Sequence, residues 1–112
     1  MNMVRTTENE ILSRLTKAAK GKGVVVTYAH KLFFLRLLDL AERTGEVENN
    51  GLSVVLSVQE LSEALQIPLR TTIQSLNRLT ACGALLRTEG EKTFPRSPTK
   101  TTIINNFYEK EK

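Results

Sequence analysis

The sequence predicts an α+β domain that is mostly helical, and three observations carry that prediction. Apolar residues recur at helical spacing in four segments, each with its own start and stop signals. Two short apolar or β-branched runs bracket a long loop near the C-terminus, and a third lies mid-chain. The chain has 112 residues, 40% of them apolar and 25% charged, which is material for one hydrophobic core and too little for two.

The first helical segment, "TTENEILSRLTKAAKGKG", opens with a capping pair, Thr7 and Glu10, and ends at Gly21 and Gly23. Ile11, Leu12, Leu15, Ala18 and Ala19 form its apolar stripe, while Arg14, Lys17 and Lys20 lie on the other side. A helix this short needs a partner for its stripe, either the rest of this domain or a second copy of the chain. The β-branched "VVV" at residues 24 to 26 suggests a short strand, and Thr27 is placed to cap the next helix. "YAHKLFFLRLLDLAERTG" reads as the central core helix, with Leu32, Phe33, Leu35, Leu38 and Ala41 on one face and Phe34 and Leu37 widening it.

"EVENNGLS" reads as a turn-rich connection, and "SVVLSV" as a single short strand. Ser57 and Glu60 then form a second capping box for the short helix "VQELSEAL", whose buried stripe is Val58, Leu61 and Leu65. "LQIP" leaves room only for a tight turn, and Pro68 suits an early position of the next helix because its missing N–H costs nothing there. That helix runs to Cys82 and stops at Gly83. Two helices joined by so short a turn make a helix-turn-helix.

The second helix of this pair is the most informative segment. With Leu76 at the centre of its buried face and about 100° per residue, Leu69, Thr72, Ile73, Leu79 and Thr80 fall within roughly 60° of that centre. Arg70, Thr71, Gln74 and Arg78 fall on the opposite side, with Ser75 and Asn77 on the flanks. These six residues offer the donors and acceptors that read base edges and phosphates, and no Asp or Glu interrupts them. A face selected only for solubility mixes in acids.

Charge is distributed unevenly in the same sense. Residues 1 to 23 carry five Lys or Arg against two Glu, residues 24 to 66 three against six acids, and residues 67 to 112 eight against four. Both ends are basic around a mildly acidic middle, the footprint expected for a polyanionic partner.

After Gly83, "ALLR" and "KTTIINNF" read as two strands around the loop "TEGEKTFPRSP", where Lys92, Arg96 and Lys100 could reach phosphates or a minor groove. The final "YEKEK" reads as a frayed charged tail. The expected organisation is thus a basic helical arm over residues 1–23, a main domain over 24–108 and a tail over 109–112.

"VQELSEALQIPLRTTIQSLNRLTACGALLR" resembles the winged helix-turn-helix of bacterial regulators and of phage and plasmid replication or partition proteins. Leu65, Ile67, Thr71, Leu76, Leu79, Gly83, Leu85 and Leu86 meet the common pattern, and the resemblance extends over about residues 28 to 106. It implies a winged helix-turn-helix with an extra N-terminal helix and a two-stranded C-terminal wing. It also implies sequence-specific binding of double-stranded DNA, in regulation or in replication or partition. Gln66 stands where the family's turn glycine is usual, Pro68 where a capping Ser is common, Thr72 where an apolar residue is common and Ile73 where a reading residue is common. A slight rotation of the helix would exchange Ile73 with Gln74.

Other classes find little support. Cys82 is the only cysteine and His30 the only histidine, so neither a disulfide nor a histidine-based metal site is expected, and the roles left to them are a buried thiol and a core-helix residue. No phosphate loop, nucleophile elbow or catalytic set is present, and no cofactor is expected. No apolar run approaches the roughly 20 residues that cross a bilayer, and no secretory signal opens the chain, so a cytoplasmic protein is expected. A homodimer is expected because one recognition helix buries too little surface for strong specificity. The alternative is a winged-helix module that docks on a protein instead of DNA.

Overall fold

Three of the four α-helices among the described residues begin where the sequence supplies a side-chain cap. In the computed structural model, which describes residues 6–88 and 98–110, α1 (Glu8–Lys22) starts at Thr7, whose hydroxyl accepts from the Glu10 N–H. α2 (Tyr28–Thr44) starts at Thr27 with an unusual capping box, in which His30 Nδ1 rather than a carboxylate accepts from the Thr27 N–H at 3.0 Å. This role explains why the single histidine is buried on the first turn of a core helix. α3 (Val58–Leu65) has the expected Ser57–Glu60 box, and α4 (Leu69–Ala81) follows Pro68 without any side-chain cap.

Among the described residues four strands form one antiparallel sheet in the order β1-β2-β4-β3. β1 is Glu46–Glu48, β2 Gly51–Leu56, β3 Leu85–Arg87 and β4 Thr99–Ile104. β4 therefore does more than return the wing, because it pairs with β3 on one side and with all six residues of β2 on the other. A turn of 3-10 helix, Asn105–Phe107, closes the described chain.

The core lies between α1, α2 and α4 and the inner face of the sheet. Phe33, Phe34, Leu37 and Leu38 of α2 are wholly buried, as are Leu61, Leu76, Leu79 and Ile103. α1 belongs to the same core through Ile11, Leu15 and Ala19. Its apolar stripe is thus satisfied within the chain. The result is a mostly helical α+β fold of winged-helix-like arrangement.

Three local expectations need correction. Residues 24 to 26 form no strand: Val24 and Val26 pack against the core and Val25 points outward, but no neighbouring strand among the described residues pairs with them. The "EVENNGLS" connection contains β1, paired through Glu46↔Ser53, Val47↔Leu52 and Glu48↔Gly51. The segment after β4 is not a frayed tail as far as residue 110: Tyr108 is buried, its carbonyl accepts from the Thr6 N–H at 2.8 Å, and Arg14 Nη1 donates to the carbonyls of Asn106 and Glu109 at 3.0 and 2.8 Å. A short apolar anchor, Phe107 packed edge-on against Phe34 with centroids 6.3 Å apart, outweighs the fraying expected of charged residues.

Gly51 is the tightest backbone position. Its φ of +154° suits glycine, and a Cβ would overlap the carbonyl oxygen of Ile103 on the adjoining strand. Gly51→Ala should lower stability by about 2 kcal/mol or more, read as the urea midpoint at constant m-value. An unchanged midpoint would contradict the close β2–β4 approach.

Tyr108 sets an alkaline limit. Burial, helped by the carboxylates of Glu109 and Glu42 and opposed by a backbone hydrogen bond at Leu52, pushes its phenol from the ordinary 10 to about 12. Between those two values the folded protein keeps a proton that the unfolded chain has released, so stability falls as pH rises through this window. Tyr108→Phe should flatten that decline in urea titrations run across the same pH range.

Candidate nucleic-acid interface

The turn between α3 and α4 determines which side of α4 faces outward. Gln66 takes the left-handed conformation, φ 56° and ψ 44°, at the end of α3, so a glutamine accepts the backbone that a glycine would favour. The Ile67 carbonyl oxygen receives the Ser62 hydroxyl at 2.6 Å and the Thr72 hydroxyl at 3.4 Å. From α2, Arg36 Nη1 reaches the Leu65 carbonyl at 3.1 Å and satisfies the open end of α3. Thr72 is polar at a core position because its hydroxyl has this partner.

Pinned in this way, α4 buries Thr72, Ser75, Leu76 and Leu79. Arg70, Gln74 and Asn77 are exposed, with Thr71 and Arg78 half-buried at one edge of the exposed face. Five of the six helix residues expected at the interface therefore share one surface.

Ser75 does not. It has no accessible surface, and its hydroxyl is the one buried side-chain polar atom without a hydrogen-bond partner among the described residues. The buried face is centred roughly 50° from Leu76, toward Ser75, by about 100° per residue. Ile73 correspondingly turns outward, 41% exposed, and Thr80 is exposed rather than buried. The rotation does not exchange Ile73 with Gln74, because both face solvent.

The wing residues fare differently. Lys92 and Arg96 lie outside the described residues. Lys100 stands on the outer face of the sheet, where its ammonium pairs with Glu48 across β2. The Lys100 ammonium and the Ser53 hydroxyl hold the Glu48 carboxyl below its usual range. The charge of Lys100 is thus balanced locally by Glu48.

One neighbour of α4 carries no sequence signal of its proximity. Arg78 Nη1 lies 3.5 Å from the Val25 carbonyl oxygen, so the α1–α2 loop flanks the polar face. Sequence shows Lys20 and Lys22 as basic but not that the segment beside them abuts α4. Among the described residues no group of three or more His, Cys, Asp or Glu could hold a metal, and no helix is long and apolar enough to cross a membrane.

No protein-family model matches the chain, and no curated protein matches it by sequence. Solved structures do share its fold. One, described as a Rep–DNA complex, is 17% identical with a TM-score of 0.58 over 81% of this chain and 68% of that one. Another, the N-terminal domain of a DNA-binding protein, is 16% identical with a TM-score of 0.55 over 93% of this chain and 84% of that one. At these identities the likeness concerns the fold.

Ser75 supplies a test of which side of α4 is free. Ser75→Ala removes a buried unpartnered hydroxyl and raises helix propensity, so stability should stay level or rise by up to about 1 kcal/mol in urea unfolding. Nucleic-acid affinity should be unchanged. A loss of affinity with the fold intact would place Ser75 at the interface after all.

Proposed function

We propose that this chain binds double-stranded DNA with sequence specificity, laying the polar face of α4 in the major groove. The observation that carries the reading is that face itself: Arg70, Gln74 and Asn77 exposed, Thr71 and Arg78 at its edge, and no carboxylate on the helix. Arg matches the two acceptors of guanine, and Gln and Asn match the donor and acceptor of adenine. The solved structures that share the fold include a complex with DNA and a domain of a DNA-binding protein, which supports the same reading.

In this reading the protein acts in the cytoplasm as a winged helix-turn-helix regulator, or as a replication or partition protein of a phage or plasmid. It works by occupying DNA and without enzymatic chemistry. A two-fold pair would double the surface read and give the half-site spacing usual for such helices.

A second reading, docking on a protein, draws on the outer sheet face. There Val55 and Leu86 are 62% and 54% exposed, on either side of β4. The same apolar pair would equally serve the homodimer. Salt separates the readings, since phosphate contacts weaken steeply with added salt and an apolar interface does not.

Fluorescence anisotropy of labelled duplexes at two salt concentrations tests the proposal. Tight salt-sensitive binding is expected, and on a selected site Arg70→Ala or Gln74→Ala should each cost about 1 to 3 kcal/mol. Arg78→Ala should also weaken binding, through the lost contact and through release of the Val25 carbonyl. Absence of binding at low salt, or indifference to both Arg70→Ala and Gln74→Ala, would overturn the assignment.

A further inference from the structure

We infer that the α1–α2 loop, residues 23 to 27 with Lys20 and Lys22 before it and Tyr28 after it, is a second DNA-contacting element that grips the phosphodiester backbone beside α4. The inference rests on the proposed binding of DNA by α4 and adds a contact surface to it.

The first support is placement. Arg78 sits at the edge of the polar face and lies against the Val25 carbonyl, so a duplex seated on α4 passes next to this loop. Lys22 and Lys20 are three and five residues from Val25, which keeps their Cα atoms within about 11 and 18 Å of it. Both side chains are exposed, and neither has a carboxylate within ion-pair distance among the described residues.

The second support is the exposure of apolar groups here. Val25 is 64% and Tyr28 70% exposed, although Val24 and Val26 on either side of Val25 pack on the core. A tyrosine at a backbone-binding edge offers its ring to a sugar and its hydroxyl to a phosphate oxygen. The N-terminus of α2, where Tyr28 is the first residue, adds its partial positive charge to the same place.

The third is Gly21. It lies in the last turn of α1, and a Cβ there would meet nothing within 4 Å. Glycine lowers helix propensity at such a position, and no close contact among the described residues requires it. Between two lysines, it leaves the helix backbone open to approach from outside.

The test uses the full chain and a labelled duplex of mixed sequence, with affinity measured from low to moderate salt. Each phosphate contact contributes about 0.9 to the slope of log K against log salt, so Lys20→Ala with Lys22→Ala should lower that slope by about 2. Tyr28→Ala should weaken binding several-fold at constant salt. Lys110→Ala, beside Arg14 and Asn106, removes a charge that is not part of the proposed contact and should leave the slope unchanged. All four positions are exposed, and the urea midpoint verifies that each variant is folded. If wild type binds and Arg70→Ala weakens it while the loop variants keep the wild-type slope and affinity, the loop inference falls and the α4 reading stands. If wild type shows no binding at low salt, both fall.

Discussion

Everything the candidate interface can do depends on the carbonyl oxygen of Ile67. Two hydroxyls converge on it, one from α3 and one from α4, and they fix the angle between the helices as well as the rotation of α4 about its axis. A helix stripe of two leucines and two small polar residues would by itself tolerate a range of rotations. The Thr72 hydroxyl, fully buried, cannot leave this acceptor without losing its hydrogen bond, which is what makes the rotation discrete. Arg36 extends the constraint to α2, since it holds the last carbonyl of α3 from the helix that forms the core. The functional face is therefore set by three side chains that never reach it.

The same turn separates what was legible in the sequence from what was not. Helix starts were legible because a cap is a local event: Thr7, Thr27 and Ser57 each act within three residues of themselves. The left-handed strain at Gln66 was legible for the same reason, as the pattern the sequence resembles has glycine at this place and the observed geometry favours it. The rotation of α4 was only half legible, because periodicity counts Ile73 as core and Ser75 as flank by apolarity alone. The structure reverses them, since a small Ser fits against the domain beside Thr72 and a bulky Ile does not need to. Residues 24 to 26 and β1 err in opposite directions for one reason. Strand formation depends on the availability of a pairing partner, so three valines stay unpaired while Glu46 and Glu48, poor strand formers, pair with Ser53 and Gly51.

Closure of the chain onto α1 was invisible in the sequence for a different reason. Arg14 reads as a surface cation opposite the apolar stripe, yet its guanidinium bridges the carbonyls of Asn106 and Glu109, more than ninety residues away. Together with the Thr6 N–H on the Tyr108 carbonyl, this ties the start of the chain to the last described turn, which Phe107 on Phe34 anchors to α2 as well. The consequence reaches the interface. A loop is only as well placed as the helices that flank it, and the α1–α2 loop is held by a helix anchored at its other end to the C-terminal segment.

Charge follows a similar division between local use and outward display. Glu10 pairs with Arg14, Asp39 with Arg43 and Glu48 with Lys100, while the Glu60 carboxylate caps α3. Glu10, Asp39 and Glu60 are engaged within or at the cap of their own helix and Glu48 within the sheet, and none of them belongs to α4 or to the loop that flanks it. Among the described residues, the cations left without such partners include Arg70, on the surface that carries Gln74 and Asn77, and Lys20 and Lys22, which precede the loop that reaches Arg78. Net charge alone, +4 over the chain, is too small to define a partner. Its sorting is what matters, because at a Debye length of about 8 Å an approaching polyanion responds to the charges nearest its path and hardly to those on the far side.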